Sequence, residues 1–285
     1  MALIKILRIS QWSKNLVILI PIVLSKKFEI FNEINIYIVL ISFSLLASST
    51  YIFNDIKDLE QDRLHSKKKF RPIAAGNISI LQAKIYGIVT LSISFLTIAY
   101  FEEQLIVYFL MYLLITLSYS YKLKYLKYFD FLTISILFYL RIVIGGVGGN
   151  VNFTNYFILF IISILTIISL GKKVSIFNDT NISSKSKVKL HLKNAYTNSK
   201  FNKMFVFIST FSVLTFTLWL LDTMKFSDGN ALFSMISLFS LLIFHYNFIK
   251  DSQNFKTENF IEWVLNYKNA LIILCLSLST LANIY

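Results

Sequence analysis

Nine long apolar runs constrain this chain more than any other feature. With soft boundaries they cover about 15–31, 36–54, 81–101, 104–121, 130–148, 155–171, 202–222, 231–249 and 268–285. Most reach the roughly 17–25 mostly apolar residues that cross a bilayer. The fourth and sixth are short, which fits tilted or broken helices. None has the two-residue alternation of a barrel strand, so the backbone must satisfy its hydrogen bonds within helices. Pro21 lies inside the first run and predicts a kink there. The expected fold is all-α, a polytopic membrane bundle of nine transmembrane helices forming a single domain over residues 1–285. Composition points the same way: 56% of the residues are hydrophobic and 16% aromatic, and mean hydropathy is +0.64. Ordinary soluble domains do not look like this.

Charge then orients the bundle. If the N-terminus is cytoplasmic, the inner segments are 1–14, 54–80, 122–129, 172–203 and 250–268, and they carry most of the 28 Lys and Arg residues. The outer segments carry only Lys26, Lys27 and Lys225, against Glu29, Glu33, Glu102, Glu103, Asp222 and Asp228. This asymmetry predicts nine spans in a cell (inner) membrane, with the N-terminus and the polar chemistry inside. The net charge of +13 suits an anionic lipid surface. It does not suggest nucleic acid, because the basic groups are divided among short loops. The apolar run at Leu16–Leu24 has no small-residue cleavage site after it and reads as a retained helix. Cys275 is the single cysteine; it excludes an internal disulfide and reads as a small core residue. His65, His191 and His245 are scattered, so no zinc site is expected.

The chemistry concentrates directly after the second run. Asn54, Asp58 and Asp62 are spaced four apart, and Asp55 stands three before Asp58. On a helix these four share one face. Three carboxylates on one face repel one another and call for a neutralising partner. A hard divalent cation with oxygen ligands is the simplest, and Mg²⁺ normally brings a phosphate with it. Arg63, Lys67, Lys68, Lys69 and Arg71 follow, donors suited to phosphate oxygens. The pattern reads as a metal–diphosphate site, against the alternative of a solvated mixed-charge loop.

Other polar residues fall into three groups. Tyr119, Lys122, Lys124 and Lys127 lead to Asp130 between the fourth and fifth runs; Lys122 and Lys124 read as phosphate ligands and Lys127 as an ordinary inner-loop lysine. Asp130 is read either as a helix cap or as the partner of a lysine. Arg141 stands inside the fifth run, where an arginine must face a polar interior. Gly145-Gly146-Val147-Gly148-Gly149 lacks the spacing of a dinucleotide fingerprint and reads as close helix packing or a helix end. Lys172 and Lys173 are expected to emerge at the end of the sixth run. The lysine-rich stretch 180–203 is expected to be a loop with one amphipathic helix on the membrane surface.

These residues resemble the UbiA superfamily of intramembrane prenyltransferases. Asn54-Asp55-x-x-Asp58-x-x-x-Asp62 matches its first acidic motif, in the expected place after the second span. Gly171-Lys172-Lys173 and a single Asp179 stand where a second acidic motif would be. That departure, with Gln11 to Asn15, Lys69 to Gly76, Tyr119-Ser120, Leu140-Arg141 and Gly171-Lys172, looks like the decaprenyl-phosphate phosphoribosyltransferase branch. The resemblance implies a nine-helix UbiA-type bundle and Mg²⁺ as cofactor. It also implies phosphoribosyl diphosphate as donor, a polyprenyl phosphate as acceptor and the lipid bilayer as surroundings. Asn54, Asp55, Asp58 and Asp62 would be the metal-binding and catalytic residues. Lys14, Lys67 and Arg71 would bind donor phosphates, and Tyr119, Lys122, Lys124, Arg141 and Lys172 would line the acceptor phosphate. Prenyl transfer from a prenyl diphosphate, a sugar donor other than ribose, and a non-catalytic transporter or lipid-binding protein remain as alternatives.

Overall fold

The structure, a computed structural model, describes residues 2–63, 68–178, 187–223, 228–254, 256–257 and 260–284. All regular structure among them is helical. In chain order the α-helices are α1 (Ala2–Leu7), α2 (Ile20–Leu24), α3 (Ile34–Lys57), α4 (Leu59–Arg63), α5 (Ile80–Phe101), α6 (Ile106–Tyr121), α7 (Phe129–Gly148), α8 (Asn155–Asn178), α9 (Lys187–Ala195), α10 (Asn198–Thr223), α11 (Asp228–Gln253), α12 (Phe260–Leu265) and α13 (Tyr267–Ile284). Eight helical segments among the described residues are long and apolar enough to cross a membrane. The chain is a multi-pass membrane protein. The ninth expected run forms α13, an 18-residue helix. Cys275 is exposed on it rather than packed in a core.

Two boundaries differ from expectation for physical reasons. The first span is Ile4–Leu24, not 15–31. Arg8 adopts left-handed backbone (φ 52°), ends α1, and starts a 3₁₀ stretch over Ile9–Leu19. Pro21 then opens α2, where its missing N–H costs nothing, instead of kinking a longer helix. The sixth span is longer than read, since α8 runs to Asn178 and keeps Lys172 and Lys173 within the helix.

The chain divides into two compact units: residues 1–122 with 140–152, and 123–139 with 153–285. In the first unit α3 packs chiefly on α5. Small residues let them approach: Ser42, Ser44, Ser48, Ser49 and Thr50 of α3 are buried, and Ser94 Oγ of α5 donates to the Ser42 carbonyl at 2.7 Å. Gly145 of α7 meets the backbone of Ile18; a Cβ there would run into the Ile18 carbonyl. The glycine-rich stretch is therefore a close helix contact. In the second unit α8 packs on α10 through Phe160, Phe216 and Trp219. Gly171 of α8 lies against the Phe248 ring and Ser252 of α11.

Candidate active site

In the first unit the acidic residues span a helix junction. Asn54 and Asp55 end α3, Asp58 is its C-cap, and Asp62 lies on α4. The i to i−4 backbone pattern continues across the break, with Asp58 N–H donating to the Asn54 carbonyl at 2.9 Å and Asp62 N–H to the Asp58 carbonyl at 2.8 Å. Asp55 and Asp62, two turns apart, therefore face the same way. Both are buried, at 4% and 3% exposure.

A single guanidinium joins them. Arg71 Nη1 donates to Asp55 Oδ1 at 2.9 Å and to Asp62 Oδ2 at 2.5 Å. Arg8 Nη2 also donates to Asp55 Oδ1, and its guanidinium lies 5.1 Å from the Tyr51 ring centroid. The hydrophobic effect brings these arginines to the site. Ile73 and Ile78, beyond Arg71, and Ile6, before Arg8, share one buried cluster with Ile52 of α3 and Ala83 of α5. The loop closes with Asn77 and Ile78 N–H donating to the Pro72 carbonyl and with Gly76 in left-handed backbone (φ 77°). It then enters α5 through a Ser79–Gln82 capping box.

A second polar group in this unit surrounds Arg141, which is 3% exposed. Its Nε donates to Asn15 Oδ1 at 3.1 Å and its Nη2 to the Tyr112 hydroxyl at 2.8 Å. Asn15 in turn donates to Ser44 Oγ, and Trp12 Nε1 to Ser48 Oγ. The Gln11–Asn15 stretch is thus bonded to the serine face of α3. Lys14 is half-buried on the same stretch, Tyr119 half-buried on α6, and Lys122 exposed at the C-cap of α6. Lys57 donates to the Ser120 carbonyl at 2.5 Å and covers the Tyr121 ring at 3.7 Å. Lys67 lies outside the described residues.

In the second unit Lys124 is buried on a 3₁₀ turn, at 8% exposure. Lys172 is exposed, whereas Lys173 is 4% exposed. Asp130 is fully buried. The Tyr196 hydroxyl donates to Asp130 Oδ1 at 2.9 Å and accepts from the Tyr128 N–H at 2.6 Å. Burial, with the Asp130 carboxylate beside it, pushes the Tyr196 phenol well up, so it remains a donor at any physiological pH. His191 of α9 brings Nε2 to 3.7 Å from Asp130 Oδ2.

Known proteins resemble this chain in sequence and in fold. The UbiA prenyltransferase family profile matches residues 16–266. The chain belongs to that family. Among relatives of this UbiA-family chain, the decaprenyl-phosphate phosphoribosyltransferase of Corynebacterium glutamicum is 29% identical over 254 residues, 86% of this chain and 75% of its own length. The uncharacterized protein y4nM of Sinorhizobium fredii is 39% identical over 166 residues, 58% of this chain. Those residues span 32% of y4nM, about a third of its length. A solved UbiA homolog from Archaeoglobus fulgidus, bound to GPP and Mg²⁺, superimposes with a TM-score of 0.66 at 16% identity, over 100% of this chain and 97% of its own.

The acidic residues of this UbiA-family protein fit a divalent cation bound together with phosphate. Asp55 and Asp62 are hard oxygen donors, buried, and converge on one cationic atom, Arg71 Nη1. Among the described residues no three His, Cys, Asp or Glu side chains gather closely enough to hold a metal ion alone. Mg²⁺ is suited to such a partial set, because it retains water and takes substrate phosphate oxygens.

Two residues at these sites were not singled out from the sequence, and Lys173 was expected at a helix end rather than inside a helix. Arg8 pairs with a carboxylate 47 positions away, a relation that no local spacing encodes. Tyr196 likewise reaches Asp130 across 66 positions. Lys173 had a readable signal. It continues the buried face of α8 from Thr166, Ser169 and Leu170 at helical intervals, once the helix is allowed to run past Gly171.

Proposed function

We propose that this chain transfers the 5-phosphoribosyl group from phosphoribosyl diphosphate to a polyprenyl phosphate at the cytoplasmic face of the cell membrane. The observation that carries this reading is the pair of buried carboxylates, Asp55 and Asp62, held by one arginine beside further cationic side chains. It is supported by the phosphoribosyltransferase relative and by Gly171-Lys172-Lys173 standing where a second acidic motif would be. Asp55, Asp58 and Asp62, with Asn54, would hold Mg²⁺, which neutralises charge developing on the departing diphosphate.

The chain's own residues do the rest. Arg8 and Arg71 exchange their carboxylates for donor phosphate oxygens, joined by Lys14 and Lys67. Lys122, Lys124, Arg141 and Lys172, with Tyr119, hold the lipid phosphate so that one of its oxygens faces ribose C1. The C1–O bond to diphosphate breaks as the new C1–O bond to the lipid phosphate forms. The lipid phosphate is anionic at neutral pH, so the site needs no strong general base. Positioning supplies much of the rate.

A second reading, prenyl transfer to a small acceptor, is favoured by the family itself and by the homolog bound to GPP and Mg²⁺. One experiment separates the two: purified protein, Mg²⁺, labelled phosphoribosyl diphosphate and a panel of polyprenyl phosphates. Label entering the lipid phase only with a monophosphate acceptor is expected. Label remaining aqueous throughout, while a prenyl diphosphate is consumed, would establish the second reading instead.

A further inference from the structure

The end of α9 is docked: Leu192 and, just past the helix, Tyr196 are 0% and 2% exposed. The docking brings together two buried polar atoms that lack partners. Asp130 is 0% exposed, and its two oxygens differ. Oδ1 accepts from the Tyr196 hydroxyl at 2.9 Å. Oδ2 has no hydrogen-bond partner among the described residues, and neither has the buried Nε2 of His191, which faces it from 3.7 Å. With a neutral imidazole the fold strands a carboxylate oxygen and a ring nitrogen side by side, which is costly. With an imidazolium the same two atoms form an ion pair that a small shift closes into a charge-assisted hydrogen bond. α9 packs on α8 and on the 3₁₀ turn Leu123–Tyr125. Every other charge on these three elements is a lysine: Lys124, Lys172, Lys173, Lys187, Lys189 and Lys193. The remaining titratable groups beside the pair are phenols, of Tyr125, Tyr128 and Tyr196. Lysines oppose a further positive charge, so Asp130 is the group that favours it.

The same cluster fixes a strained turn. Tyr128 adopts left-handed backbone (φ 69°), unfavourable for a bulky side chain, and its N–H donates to the Tyr196 hydroxyl at 2.6 Å. We propose that protonated His191 latches α9 onto Asp130, and that the latch locks the 123–130 segment through Tyr196. The docked pair holds a proton that the undocked chain gives up, so docking strengthens as pH falls and loosens as pH rises. The inference rests on the function proposed above in one respect only: there Lys124 of this segment holds the lipid phosphate, which makes His191 a positioning residue for the acceptor.

The test uses the full chain in phosphatidylcholine nanodiscs, whose headgroup charge is constant over the range, and reads amide hydrogen exchange corrected for the intrinsic effect of pH. In the wild type, the amides of α9 and that of Tyr128 should be protected about 5-fold or more better at about pH 6 than at about pH 8, while the α10 amides stay level. His191→Gln, neutral at both, should show the weaker protection throughout. Asp130→Asn, which still accepts from Tyr196, should also lose the pH dependence. His191→Arg, charged at both, should keep the stronger protection at the higher pH.

Equal protection of α9 at both pH values in the wild type overturns the latch. That comparison involves no substitution, so it decides even where a variant fails to fold. A pH response that persists in His191→Gln assigns the proton elsewhere and overturns it too. A response confined to α9, with Tyr128 unmoved, overturns the link to the 123–130 segment. Transfer of phosphoribosyl label is scored separately. A chain with a working latch and no transfer would end the catalytic reading and leave this one standing; transfer without the latch would do the reverse.

Discussion

Asp55 and Asp62 are each 4% exposed at the side chain, while the arginines that pair with them, Arg8 and Arg71, are 21% and 25% exposed. The carboxylates are therefore the costly partners to strand. Arg71→Gln removes the bond to both at once. It should lower unfolding stability by about 2 kcal/mol, between the values for exposed and buried ion pairs, read as the apparent melting temperature in detergent. Asp58→Asn and Asp62→Asn should each reduce transfer about 100-fold or more, the scale of losing one charge-stabilising group in a reaction site. Retained transfer in both variants would remove Asp58 and Asp62 from the catalytic machinery. That Asp55 and Asp62 turn the same way was legible from spacing alone, because helical periodicity is local. Their cationic partners were only half legible. Arg71 lies in the same loop, but Arg8 reaches Asp55 through a left-handed turn and the Ile6–Ile52–Ile73 cluster, and neither leaves a mark in the nearby sequence.

At the scale of helices, contacts between backbones decide what can change. Gly145→Ala places a methyl against the Ile18 carbonyl, which cannot yield without moving the first span, whereas Gly148→Ala meets only side chains at 3.6–4.0 Å. The first substitution should cost about 1–3 kcal/mol of overpacking. The second should be neutral or slightly stabilising, since alanine favours a helix. Comparing the two melting temperatures checks this. Apolar periodicity placed seven of the eight membrane-crossing helices within a few residues at most ends. It failed where polar residues interrupt hydropathy without interrupting the helix. Lys172 and Lys173 stay within α8 because the turns around them are packed, and the first span starts early, at Ile4, despite Lys5, Arg8 and Lys14.

For the whole molecule, the lysine asymmetry predicts that cysteines introduced at Lys193 and Lys200 react with a membrane-impermeant thiol reagent only after the inner face is opened, and one introduced at Lys27 reacts in intact cells. The reverse pattern would invert the proposed orientation. The paired arginines have a further consequence. At rest the acidic mouth is electrically satisfied, so a bare divalent ion arriving alone would have to evict guanidinium groups with nowhere to go. An ion escorted by diphosphate lets each partner trade places without stranding a charge. Mn²⁺ should accordingly show little affinity by electron paramagnetic resonance until diphosphate is added, and Arg8→Gln should relax that requirement. On the proposed reading such a protein would idle without soaking up stray cations, and its reaction chamber would assemble only when the cargo and its metal come in together.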